Sequence, residues 1–126
     1  MNTLRIEPAD DSPQVILDKE NNIFEISGKS LPENVVEFYR PVMDWLQEYR
    51  KDPGPKTELT LKLIYFNTAS SKMILDILMV LEEMAEAGHE VVVRWMSLKS
   101  DEDMQEAGKE YEEMVDVPFE HLTYEM

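Results

Sequence analysis

Three hydroxyl side chains, Thr68, Ser70 and Ser71, crowd one short stretch of this chain, with Asn67 before them and Lys72 after them. The apolar run from Leu59 to Phe66 leads into them, and an amphipathic pattern starts at once behind them. That order predicts a strand, a turn and a helix, with the hydroxyls at or near the first helical turn. The first amides of a helix have no carbonyl partner within it, and the helix dipole is positive at that end. A hydroxyl placed there suits two tasks. It can carry a phosphoryl group, or it can cap the helix, which is worth about 0.5–2 kcal/mol. One cap needs one residue, and four small polar side chains are present. The residues alone leave both tasks open.

Other chemistry is sparse. The glycines are Gly28, Gly54, Gly88 and Gly108, and they form no phosphate-cradling loop. The histidines, His89 and His121, lie far apart in the sequence, whereas a metal site needs three or four converging ligands. No nucleophile motif of the G-x-S-x-G type is present. Carboxylates such as Glu82, Glu83, Glu110 and Glu113 fall on helical patterns whose opposite face is apolar, so they read as a solvated surface. Methionines at helical spacing read as core filling. Phe38, Tyr39, Trp45 and Tyr49 read as the packed face of a first helix. No catalytic residue, metal site or cofactor is expected, and the chain is not expected to be an enzyme.

The elements that must position the hydroxyl cluster follow from pattern. Residues 1–13 read as a loose lead-in. Val15–Lys19 and Ile23–Ser27 read as two strands around a turn at Glu20-Asn21-Asn22. Ser30, with Glu33 three residues on and Pro32 between, reads as the start of a helix. Its apolar face would carry Val35, Phe38, Tyr39, Val42, Trp45, Leu46 and Tyr49, with Pro41 inside it. The strand over 58–66 is apolar at most positions and reads as a central one covered on both faces. A helix with Ile74, Ile77, Leu78, Leu81 and Met84 inward ends at Gly88. His89–Met96 is a further strand. Ser100 reads as the N-cap of a third helix, and Pro118–Tyr124 as an edge strand. The expected order is ββαβαβαβ, a single α/β (α+β) domain over 1–126 with helices packed on a mixed sheet.

The whole-chain balance narrows the partners. The chain has 126 residues, and its net charge of −15 repels nucleic acid and anionic membranes. No apolar run approaches the ~20 residues a membrane span needs. Met1–Asp11 shows no apolar signal-peptide core. Cysteine is absent, which removes disulfide and thiolate chemistry. A cytoplasmic protein with protein partners is the expectation.

Leu63-Ile64-Tyr65-Phe66-Asn67-Thr68-Ala69-Ser70-Ser71-Lys72-Met73 resembles the phosphorylated segment of the SiaC-like family of bacterial regulatory phosphoproteins. Leu31-Pro32-Glu33-Asn34 with Met43-Asp44-Trp45 resembles a second family segment, and Val91-Val92-Val93-Arg94-Trp95 a third. The resemblance implies a fold similar to the STAS domains of anti-sigma-factor antagonists. Those carry an Asp-Ser pair where this chain has Asn67-Thr68. It further implies a non-enzymatic protein whose unphosphorylated form binds and activates a diguanylate cyclase in cyclic-di-GMP signalling, as in biofilm control. A Ser/Thr kinase would switch it off at Thr68 and a PP2C-type phosphatase would restore it. The expected partner footprint, where a phosphate on Thr68 would disrupt an interface, is Asn67, Thr68, Ser70, Ser71 and Lys72. The alternative is an anti-sigma factor antagonist in a partner-switching pathway.

Overall fold

The computed structural model describes residues 1–125. Nine elements follow in chain order: β1 (Leu4–Ile6), β2 (Gln14–Asp18), β3 (Ile23–Ser30), α1 (Val35–Tyr49), β4 (Lys56–Phe66), α2 (Thr68–Glu86), β5 (Glu90–Leu98), α3 (Glu102–Met114) and β6 (Phe119–Tyr124). They build one six-stranded sheet in the order β1-β2-β3-β4-β5-β6. The β1/β2 and β2/β3 pairs are antiparallel, and the three remaining pairs are parallel. The mixed sheet with packed helices is the expected α/β arrangement, with one more strand at its front.

That extra strand corrects the loose lead-in expected over 1–13. Leu4 and Ile6 lie opposite Leu17 and Val15 in β2. The Trp45 indole N–H donates to the Asn2 carbonyl at 2.7 Å, which ties the N-terminal segment to α1. The hairpin between β2 and β3 turns at Asn22, whose φ of 56° is the left-handed conformation Asn tolerates. Asp18 closes that turn by accepting from the Asn21 side chain at 2.8 Å and its backbone at 3.2 Å. Those bonds hold its carboxyl below the ordinary carboxylate range.

Each parallel pair is joined through a helix. Right-handed crossovers between strands in consecutive order place all the helices on the same side of the sheet. Burial confirms a single covered face. Leu59, Leu61 and Leu63 of β4 are at most 2% exposed, while Lys56, Glu58, Thr60 and Lys62 between them stay accessible. The expectation that β4 is covered on both faces is therefore wrong. The physical cause lies in the alternation Glu58-Leu59-Thr60-Leu61-Lys62-Leu63, the pattern of a strand with one wet face. The wet face carries ion pairs, Lys56 with Glu58 along β4 and with Glu90 across to β5, and Arg94 with Glu120 across to β6.

Two helix starts also differ from expectation. Asn34, not Ser30, caps α1: its Oδ1 accepts from Glu37 N at 3.1 Å, and its Nδ2 donates to Glu37 Oε2 at 3.2 Å. Asp101, not Ser100, caps α3, accepting from Met104 N at 3.0 Å. Helix α1 continues through Pro41 and buries Tyr39, Val42, Leu46 and Tyr49. Each such fully buried side chain contributes about 1.5–3 kcal/mol by leaving water. Gly88, at φ 96°, ends α2 as expected.

Candidate functional site

The hydroxyl cluster is set up by an irregularity in the sheet just before it. Gly28 of β3 faces Leu63 of β4, yet its neighbour Lys29 faces Tyr65. Ile64 is thus an extra residue, a β-bulge, beside a Gly28 whose φ of 108° suits glycine. Strict alternation from the inward Leu63 would turn Tyr65 inward and Phe66 outward. The bulge reverses this. Ile64 and Tyr65 are 45% and 55% exposed, and Phe66 turns toward α3. Its ring centroid lies 6.5 Å from that of Trp95, edge to face, and 6.3 Å from that of Tyr111.

Asn67 then ends the strand and caps α2. Its backbone N–H donates to Ser30 O at 3.2 Å, and its side-chain oxygen accepts from Ser70 N at 2.8 Å. Thr68 is the first residue of the helix and is exposed. The three hydroxyls meet different fates. Ser70 is sealed at 0% exposure. Its hydroxyl donates to Ser30 O at 2.8 Å and accepts from Ser30 Oγ at 2.9 Å. The Ser30 proton is thereby committed, so the 2.5 Å bond between Ser30 Oγ and Tyr39 OH has the phenol as donor. Tyr39 keeps its proton, because burial pushes its ionisation up. Ser71 is half-buried and donates back to Thr68 O at 2.7 Å.

Helix α3 closes the other side. Tyr111 donates its hydroxyl to Ser71 O at 2.8 Å, in the first turn of α2. Burial pushes its phenol up to about 12. Tyr111 therefore stays a neutral donor. Gly108 lets α3 lie directly on Trp95, whose indole N–H donates to Met104 O at 2.9 Å. Between α2 and α3 a cleft of ≈ 490 Å³ opens over Phe66. Thr68, Ser71 and Lys72 stand on one wall, and Ala107, Glu110 and Met114 on the other. Lys72 lies four residues after Thr68, on the same helical face.

The structure thus brings Asn67, Thr68, Ser71 and Lys72 to the cleft, while Ser70 is buried and bonded to Ser30 of β3. Ser70 is corrected from a surface contact to an internal brace: no part of it is accessible in the folded chain. A signal for this was present, since Ser70, Ile74, Ile77, Leu78 and Leu81 share one helical face. Ser30, Tyr39 and Tyr111 were not singled out for the site, because their partners lie 9 and 40 residues away in the chain. Among the described residues no group of three His, Cys, Asp or Glu side chains is arranged to hold a metal ion. His121 instead pairs with Glu112 at 2.9 Å.

In sequence and fold the chain is similar to known proteins. A family model described as SiaC family regulatory phosphoprotein matches residues 6–124. An uncharacterised protein of Pseudomonas aeruginosa is 34% identical over 119 residues, covering 94% of each chain. The crystal structure of apo-SiaC from P. aeruginosa superposes with a TM-score of 0.88 at 32% identity, covering 97% of this chain and 99% of that one. The structure of the diguanylate cyclase SiaD in complex with its activator SiaC, from the same organism, gives a TM-score of 0.91 at 32% identity. That match covers 96% of this chain and 99% of the other.

Proposed function

This chain belongs to the SiaC family of regulatory phosphoproteins, and from that premise we propose that its unphosphorylated form binds and activates a diguanylate cyclase. As a family member it is a regulatory protein and not an enzyme. In the proposed cycle a Ser/Thr kinase phosphorylates Thr68 and ends activation, and a PP2C-type phosphatase restores it. Among the described residues no helix is long and apolar enough to cross a membrane, and the cycle is assigned to the cytoplasm. One observation carries the reading. Of the three clustered hydroxyls, Thr68 belongs to an exposed residue at the mouth of a cleft, while Ser70 is sealed and Ser71 is bonded to Thr68 O.

Magnitudes favour a local switch. A phosphate adds about −1.5 to −2 charges at pH 7. Beside the start of α2 it gains only about 0.3–1 kcal/mol from the helix dipole, up to ~2 if partly buried. The fold has no reason to open. At a protein interface the sign changes, because an unpaired dianion is costly to desolvate and repels facing acids. A coupling of about 1–3 kcal/mol shifts affinity roughly 5–150-fold.

The test is capture of wild-type and Thr68→Asp protein from the native host, with mass spectrometry of what co-purifies and a cyclase assay of the captured material. A diguanylate cyclase held and stimulated by wild type, and released by Thr68→Asp at unchanged melting temperature, is the expected result. An anti-sigma factor in its place promotes the partner-switching alternative. Identical partners on both forms overturn the switch.

A further inference from the structure

We infer that the partner also docks on the open side of the sheet, on a patch formed by Ile64, Tyr65, Lys29 and Lys62, and that the segment seated there is acidic and amphipathic. The inference rests on the functional reading above and extends its footprint across the β4–α2 turn.

The patch exists because of the bulge. Without the extra residue Ile64, Tyr65 would point into the helix layer. With it, two consecutive large apolar side chains stand in solvent, one turn of chain before Thr68. Phe66 alone continues inward to fill the space over Trp95 and Tyr111. The bulge therefore leaves Tyr65 outside while the core keeps its aromatic residue. Tyrosine is among the side chains that anchor protein interfaces.

Charge decides what covers it. The chain carries −15 overall, and the far half of the wet sheet face is paired, Lys56 with Glu58 and Glu90, Arg94 with Glu120. The half nearest Thr68 differs. Lys29, in register with Tyr65, and Lys62, two residues before Ile64, make no ion pair among the described residues. Lys62 rests over the Tyr124 ring instead, 4.5 Å from its centroid. Two cations without carboxylate partners flank an apolar pair on an acidic protein. The complementary occupant offers apolar side chains to Ile64 and Tyr65 and carboxylates to Lys29 and Lys62. The same complementarity explains the sign of the switch, since a dianion added at Thr68 repels an acidic segment crossing the adjacent edge.

The probe is the diguanylate cyclase identified by capture on the wild-type protein, titrated against purified variants. Tyr65→Ala should weaken binding about tenfold or more. Lys29→Glu with Lys62→Glu should weaken it further at low salt than at high salt. Melting temperature and the rate of Thr68 phosphorylation should stay at wild-type values. Wild-type affinity in the patch variants, with binding lost in Thr68→Asp, overturns this inference and leaves the functional reading standing. Tighter binding in the double lysine variant overturns the acidic occupant. Wild-type affinity in every variant, Thr68→Asp included, brings down both.

Discussion

Gly108→Ala should destabilise the protein, against the trend for a helix interior. A Cβ at this position would sit 2.4 Å from Trp95 Cδ1, 2.6 Å from Nε1 and 2.7 Å from Cγ. Unstrained contacts between carbon atoms lie at about 3.5–4.0 Å, so roughly 1 Å of separation is missing. Trp95 has little room to retreat. It is 1% exposed, its indole N–H is bonded to Met104 O, and its ring packs on Phe66 and Tyr111. The helix must therefore move off β5. Helix propensity alone favours Ala over Gly by about 0.8–1.0 kcal/mol. Overpacking a core costs about 1–3 kcal/mol, and an overlap with rigid ring atoms belongs at the upper end. The net is a loss of about 1–2 kcal/mol, or roughly 4–8 °C at ~4 °C per kcal/mol for a domain of this length. Displacing α3 should also stretch the Tyr111 bond to Ser71 O, beneath Thr68. Thermal and urea denaturation read the first effect, and hydrogen exchange in the first turn of α2 reads the second. A Gly108→Ala protein that melts at or above wild type would refute the close packing of α3 on Trp95.

Ser70→Ala should cost about 1–3 kcal/mol, because it strips the buried Ser30 hydroxyl of its acceptor; a lower urea midpoint at unchanged slope is the check. Tyr111 ties stability to alkaline pH. Its folded pKa, about 12, lies above the ordinary value of 10.0, so its contribution is whole below pH 10 and lost as pH rises toward 12. Absorbance titration should show Tyr39 and Tyr111 ionising later than the other tyrosines, and Tyr111→Phe should remove the step near pH 12.

Much of the fold was legible because its signals are local. The helix from Thr68 announces itself through Asn67 ahead, the Ile74–Ile77–Leu81 spacing and Gly88 behind. What misled was local pattern that occurs twice. Ser30-Leu31-Pro32-Glu33 and Asn34-Val35-Val36-Glu37 both have the form of a capping box, and short-range rules rank Ser first. The register of β3 decides otherwise, drawing Ser30 into the sheet opposite Phe66, where its hydroxyl meets Tyr39 and Ser70. Strand β1 went unseen because three residues carry too little pattern, and its order comes from pairing with β2. The site was half legible. Hydroxyls at a strand–helix junction marked Thr68, but the bulge at Ile64 and the Tyr111 bond to Ser71 O depend on neighbouring strands and helices.

The strands lie side by side in the order in which the chain is made. Each one pairs with the strand synthesised just before it, so a growing chain always presents a finished edge for the next arrival. No strand waits for a distant partner, and no loop longer than one crossover has to close. Helix α3 and β6 are added last, and Tyr111 then reaches Ser71 O from the late-made side. The mouth around Thr68 is therefore completed only when the last helix docks, which gives a chain stalled before α3 a sheet and an exposed Thr68 but no cleft.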